Sequence, residues 1–260
     1  MRVLVVALAL AAPPPSAPLP SEPPAVARSL AASTAELHRA IDEWQAGPRA
    51  AGPTPPDVTL WALHQQRLFL KLTYDRRLGD RARPLLSAEA RATLDARRRL
   101  VELTPPTRLP LSAFRTGPSL PARTLLRHYR EAERRFGVEW EVLAAVNFVE
   151  TGFNKLRSRS SAGAQGPMQF MPATWRAYGL GGDVHDPRDA IMGAANYLRA
   201  SGARTNLRRA LWRYNHSGRY VDAVAAFAAQ MRRDADVLFQ FHAWQIFVKT
   251  PSGPRRITGP

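Results

Sequence analysis

Val142-Leu143-Ala144-Ala145-Val146-Asn147-Phe148-Val149-Glu150 is the stretch on which the reading of this chain turns. Eight residues with one polar member are too apolar for a surface helix, so the helix they form is buried nearly all round. A carboxylate, Glu150, closes it. Apolar surroundings disfavour the carboxylate anion, and so does the negative end of the helix dipole. No basic residue lies in the preceding turns to offset either effect. The spacing therefore predicts a glutamic acid that titrates one or two units above its usual value of about 4.3. Such a group holds its proton close to neutrality and can act as a general acid. The plain alternative is a helix-ending glutamate that turns into solvent.

Downstream, Phe153 and Asn154 lead into a basic loop ending at Arg159. Then comes Ser160-Ser161-Ala162-Gly163-Ala164-Gln165-Gly166-Pro167-Met168-Gln169-Phe170-Met171-Pro172. Its two glycines permit tight turns and the close approach of a ligand. Met168 and Phe170 offer an apolar wall, and Gln169 an amide, a set suited to the faces and N-acetyl groups of a sugar.

Working outward, nearly every segment reads as helix. Toward the C-terminus, Leu125, Leu126, Tyr129 and Phe136 form one stripe ended by Gly137. Pro172 begins another helix that Gly179 closes, and Asp186-Pro187-Arg188-Asp189 supplies an N-cap, a proline at N1 and an acid at N3. The stripes Leu207/Ala210/Leu211/Tyr214 and Val221/Val224/Ala225/Ala228/Met231 follow. Residues 244–248 and 256–258 flank Pro251-Ser252-Gly253, which predicts a terminal hairpin. Toward the N-terminus, residues 29–45, 57–78 and 87–103 each show helical spacing, with Asp57 and Ser87 as expected caps. Residues 13–24 hold seven prolines and read as an extended tether. The chain is expected to be mainly α, with a short C-terminal β-hairpin. Its expected divisions are 1–27, 28–117, 118–240 and 241–260, the main boundary falling in the Pro-, Gly- and Ser-rich stretch 105–121.

Composition narrows the function. Of 260 residues, 45% are hydrophobic and none is cysteine. That excludes end-to-end disorder, disulfide frameworks, thiolate metal sites and cysteine nucleophiles. The formal charge is +16, almost all of it arginine. A basic protein is drawn to polyanions, including anionic cell-wall polymers; the bland reading is arginine spread over solvated helix faces. No single basic block and no nucleic-acid-binding motif is present, so nucleic acid is not an expected partner. Residues 1–12 carry one positive charge followed by about ten apolar residues, too short to span a bilayer. They read as a secretory signal with small-residue cleavage options near Ala11 or Ala25-Val26-Ala27, which predicts an exported protein.

Three blocks resemble one family. Glu150-Thr151, Gly166-Pro167-Met168-Gln169 and Arg213-Tyr214-Asn215 follow, in order and spacing, the Glu-Ser, Gly-Leu-Met-Gln and Ala-Tyr-Asn blocks of the soluble lytic transglycosylase (SLT) domain, a member of the lysozyme-like superfamily. The resemblance covers residues 121–233 and departs from the pattern at Thr151, Pro167 and Arg213.

This resemblance implies a lysozyme-like helical catalytic domain acting on peptidoglycan glycan strands. Glu150 would cleave the β-1,4 bond between N-acetylmuramic acid and N-acetylglucosamine, first as acid on the leaving oxygen. It would then act as base on the muramic C6 hydroxyl, closing a 1,6-anhydro ring. Ordinary glycosidases need a second carboxylate about 5–9.5 Å away. Glu139 lies roughly 16 Å along the helix and cannot serve; Asp183, Asp186 and Asp189 could reach only if their loop folds over the cleft, and for Asp186 and Asp189 helix capping is the favoured explanation.

The resemblance also assigns substrate-binding roles to Ser160, Met168, Gln169, Tyr214 and Asn215, with Tyr214 expected near Glu150 or the acetamido group. Ser160 has the alternative of closing a turn, and Tyr214 of completing its helix's apolar stripe. Phe153 either floors the sugar site or fills the core. The six histidines lack paired spacing, so neither a metal nor another cofactor is expected. A hydrolytic muramidase of the same fold and a non-catalytic wall-binding module are the competing functions.

Overall fold

A computed structural model describes residues 10–260. Most of the expected signal segment lies outside them. Among the described residues the chain is mainly α, with eleven α-helices and one two-stranded antiparallel hairpin. No helix among them is long and apolar enough to cross a membrane.

The N-terminal part is a helical layer. Helix α1 (Pro23–Ala46) starts six residues before the predicted Ser29, because Pro23 and Pro24 occupy its first turn, where a missing amide costs nothing. One face carries Val26, Leu30, Leu37, Ile41 and Trp44 into the core. The Ala25-Val26-Ala27 cleavage option thus sits within a helix, with Val26 wholly buried.

The predicted helix over 57–78 is two. Helix α2 (Pro56–Tyr74) stops at Asp75, whose side chain accepts the Leu78 amide at 2.9 Å and starts α3 (Arg76–Ala82). Asp57 lies in the first turn of α2 instead of capping it. Helix α4 (Ala88–Leu103) begins at Ser87, whose hydroxyl accepts the Ala90 amide.

The second part holds α5 (Ala122–Phe136), α6 (Trp140–Thr151), α7 (Pro172–Tyr178), α8 (Pro187–Ala200), α9 (Leu207–Tyr214) and α10 (Gly218–Arg233). Gly137 ends α5 in the left-handed conformation, at φ 67°. A further short helix, α11 (Val237–Ala243), is buried along its whole length and straddles the expected boundary at 240. It ends at Trp244, followed by β1 (Phe247–Thr250) paired to β2 (Gly253–Arg256) with Phe247 opposite Arg256.

The two parts share one core. Helix α10 packs against α4 on one side and α6 on the other, while α11 packs on α1 and α2. Buried side chains form a continuous cluster from Val26 and Leu30 to Phe241 and Trp244. This sandwiching places the end of α6 between N-terminal helices and the C-terminal hairpin.

Candidate active site

Helix α6 buries every residue from Val142 to Asn147 and carries Glu150 in its last turn. Its termination is sharp. Gly152 takes φ 56°, and its amide donates to the Phe148 carbonyl at 2.9 Å. The Phe153 amide reaches back to the Asn147 carbonyl, so both amides past the helix end satisfy carbonyls of its last turns. Phe153 and Asn154 also hold positive φ, at 63° and 66°, sparsely populated for residues with a Cβ. The turn is held by the Thr151 hydroxyl, which accepts the Asn154 amide at 3.0 Å. Beside Gly152 a Cβ would meet Ile246 Cδ1 at 2.4 Å, so the end of that side chain would have to shift.

A buried polar network fixes this helix end to the Gly166–Gln169 block. The Tyr129 hydroxyl donates to Asn147 Oδ1 at 2.6 Å, and Asn147 Nδ2 donates to the Pro167 carbonyl at 2.9 Å. The Thr151 hydroxyl donates to the same carbonyl at 2.7 Å. The block folds back on itself through paired hydrogen bonds between Gln165 and Phe170. Gly166 is obligatory there: at φ 76°, a Cβ would lie 2.0 Å from the Val184 carbonyl.

The Glu150 carboxyl lies in a cavity of about 390 Å³. Its walls come from the ends of α6, from Gln66 and Tyr74 of α2, from Arg97, Leu100 and Val101 of α4, and from Trp244 and the hairpin. Protein surrounds the carboxyl on nearly every side, yet the residue keeps partial exposure into the cavity, so desolvation and access coexist. Burial pushes its pKa up to about 7, against the opposing pull of a hydrogen bond from Tyr220. The Tyr220 hydroxyl donates to Oε1 at 2.7 Å. Among the described residues lining this cavity, Glu150 is the single carboxylate.

The other predicted site residues divide into two groups. Tyr214 stays close: its ring stacks on Tyr220 with centroids 6.5 Å apart, and its hydroxyl donates to the Met168 carbonyl at 2.6 Å. Burial and then the Glu150 charge push its ionisation well above the usual tyrosine range. Met168 approaches through that carbonyl, while its side chain is fully buried in the core. The Gln169 amide is turned onto the Gly166 carbonyl at 3.0 Å, its backbone at φ 50°. Phe153 is fully buried, stacked on Phe148 at 5.6 Å. Ser160 is exposed, its hydroxyl accepting the Ala164 amide at 3.0 Å. Asn215 is exposed at the end of α9. None of Phe153, Ser160 and Asn215 bonds to Glu150. Glu139 precedes α6 and pairs with Arg232, while Asp186 accepts the Asp189 amide at the start of α8.

Sequence reasoning passed over Tyr220, which lies one residue before the apolar stripe assigned to α10. Its phenol ring continues that stripe (220, 221, 224, 227) against α6, and a hydroxyl at the head of a buried stripe needs a polar partner. The walls contributed by Arg97 and Trp244 left no local signal.

Residues 127–233 match the family model of the Transglycosylase SLT domain. The chain is also similar to the protein named Membrane-bound lytic murein transglycosylase F of Thiobacillus denitrificans (strain ATCC 25259 / T1), 34% identical over 74 residues. That match covers 28% of this chain and 15% of the relative's length. No solved structure matches the chain.

Proposed function

Residues 127–233 being a transglycosylase SLT domain, we propose that the protein is a peptidoglycan lytic transglycosylase in which Glu150 serves as both acid and base. The observation that carries this reading is that Glu150 is the single carboxyl among the described residues lining the cavity, its pKa pushed up to about 7 by burial. As acid, Glu150 gives its proton to the glycosidic oxygen between N-acetylmuramic acid and N-acetylglucosamine, and the C1–O bond breaks. The resulting carboxylate then takes the proton of the muramic C6 hydroxyl as that oxygen bonds to C1, and Glu150 returns to its acid form. No water is consumed.

The lack of a second carboxylate among the described lining residues favours this route over hydrolysis. Retaining and inverting hydrolysis both call for a partner carboxyl, about 5–5.5 Å or 6.5–9.5 Å away. Tyr220 steadies the anionic form between the two proton transfers, since a hydrogen bond to a carboxylate favours its charge. Tyr214, one ring further along, holds the Met168 carbonyl and thereby the block that backs the catalytic turn.

The substrate lies outside the cytoplasmic membrane, and residues 1–12 are proposed to direct export. The +16 charge is proposed to hold the enzyme to anionic wall polymers. Mass spectrometry of digested peptidoglycan tests the central claim. Anhydro-muropeptides lighter by one water are expected from the wild type and absent with Glu150→Gln. Hydrated reducing ends alone would establish a muramidase, and an intact polymer a binding module.

A further inference from the structure

The cavity around Glu150 contains a cation that has no ion-pair partner among the described residues. Arg97 comes from α4, outside the matched segment, and lines the same cavity as Glu150. Its neighbours in sequence are engaged: Arg98 pairs with Asp80 and Arg99 with Asp222. Arg97 itself makes no ion pair among the described residues, and its Nε is buried without any hydrogen-bond partner. Its guanidinium lies 5.1 Å from the centroid of the Trp244 ring, so a cation–π contact holds it in place while no anion among the described residues pairs with it. Lys249, the other cation of this cavity, is engaged, its Nζ donating to the Val101 and Thr104 carbonyls at 2.9 and 3.0 Å.

A guanidinium Nε shut in without a hydrogen-bond partner is costly to a fold. Burial draws its pKa down to about 10, which still leaves it fully charged at neutral pH. A stable helix packed on Trp244 needs no charge at this position; a ligand with an anionic group does. Guanidinium nitrogens in a planar fork match a carboxylate in two-point fashion. Glycan strands carry carboxylates on alternate sugars only, at the lactyl ether of the muramic residue or along the peptide joined to it.

Resting on the glycan-cleaving reading of Glu150, we infer that Arg97 is a substrate-binding residue that grips a carboxylate borne by a muramic residue, adding to the domain's cleft a specificity element from the N-terminal helices. It selects strands that carry this anion over neutral chitin-like polymers and sets their register over Glu150.

Calorimetric binding in the Glu150→Gln background tests this with three probes: a peptide-free muramic acid–glucosamine tetrasaccharide, the same glycan with tetrapeptide stems, and a neutral N-acetylglucosamine hexamer. Arg97→Gln is expected to weaken binding of a carboxylate-bearing probe by about tenfold and to leave the neutral hexamer unchanged. Loss on the peptide-free glycan assigns the lactyl carboxylate; loss on the stem-bearing glycan alone assigns the peptide. Arg97→Lys, which keeps the charge without the fork, is expected to retain part of the affinity and guards against misfolding of the glutamine variant. Equal affinity of wild type and Arg97→Gln for all probes overturns the inference, and so does equal loss on the neutral hexamer, which would mark a packing role. If the wild type releases anhydro products while Arg97→Gln binds normally, this inference fails and the enzymatic reading stands. No muropeptide release and no glycan binding at all would overturn both.

Discussion

The hydroxyl of Tyr220 donates to Oε1 of Glu150 across 2.7 Å, tying the first turn of α10 to the last turn of α6. The bond opposes the burial that raises the carboxyl's pKa to about 7. Removing it with Tyr220→Phe should therefore raise that pKa further. Since the proposed reaction starts from the protonated acid, kcat/KM of the wild type should fall with rising pH above about 7. In Tyr220→Phe the alkaline limb should move to higher pH, while the pH-independent rate drops roughly tenfold, the cost of one charge-assisted hydrogen bond. An alkaline limb that stays put in the variant would remove Tyr220 from the proton path.

The same carboxyl sets a pH dependence of stability. Its folded pKa of about 7 exceeds the ordinary 4.5. Between those values the folded state binds more protons than the unfolded chain, so this group costs nothing at pH 4 and progressively destabilises the fold as pH rises through 7. Glu150→Gln removes that penalty. The variant should be more stable than wild type by roughly 3 kcal/mol at pH 8 and nearly equal at pH 4.5. Denaturant melts at the two pH values measure the difference, and a gap that is larger at pH 4.5 would contradict the burial of the acid.

Much of this site was legible before the structure, and the part that was not has a physical reason. An eight-residue run with one polar member identifies α6 and the fate of Glu150 because burial all round is written in consecutive residues. Ser87, Gly137 and Pro172 mark helix ends through local backbone chemistry. Helix α11 escaped because seven residues without a side-chain cap show no clear period. Pro23 and Pro24 misled because proline is excluded from helix interiors but welcome in a first turn. The cavity walls were invisible for a different cause: Gln66, Arg97 and Trp244 meet only through the packing of α2, α4 and α11, and no spacing within any one segment encodes that meeting.

Asn147 is the one polar residue inside the apolar run, and its hydrogen bonds to Tyr129 and Pro167 explain it. Asn147→Leu conserves bulk but leaves the Tyr129 hydroxyl buried without an acceptor, so a loss of about 2–4 kcal/mol is expected. Thr151 is the companion case. Thr151→Ser keeps the hydroxyl that holds the Pro167 carbonyl and the Asn154 amide, and should change stability by less than about 1 kcal/mol. Thr151→Val keeps the shape and loses both bonds, costing about 1–3 kcal/mol and slackening the turn behind Glu150. Equal melting midpoints for the serine and valine variants would show that the hydroxyl does not hold the turn.

Lys155, just past the strained turn, extends its amine to the carbonyls of His242 and Trp244 and fastens the end of α11 to α6. Burial lowers its pKa from 10.5 to about 7. In the window between those values the unfolded chain binds the extra proton, so this group's contribution to stability grows as pH rises from 7 toward 10.5. Below 7 the fold bears the cost of burying the ammonium; above it, the neutral amine still donates to the two carbonyls. Lys155→Met preserves the stem and abolishes both effects. The variant should lose less stability at pH 6, where relief from the buried charge offsets the lost hydrogen bonds, than at pH 9, where more than half of that penalty is gone. Chemical denaturation at pH 6 and pH 9 decides it, and a deficit larger at pH 6 would mean that the lysine keeps its proton as a charged clamp on the helix end.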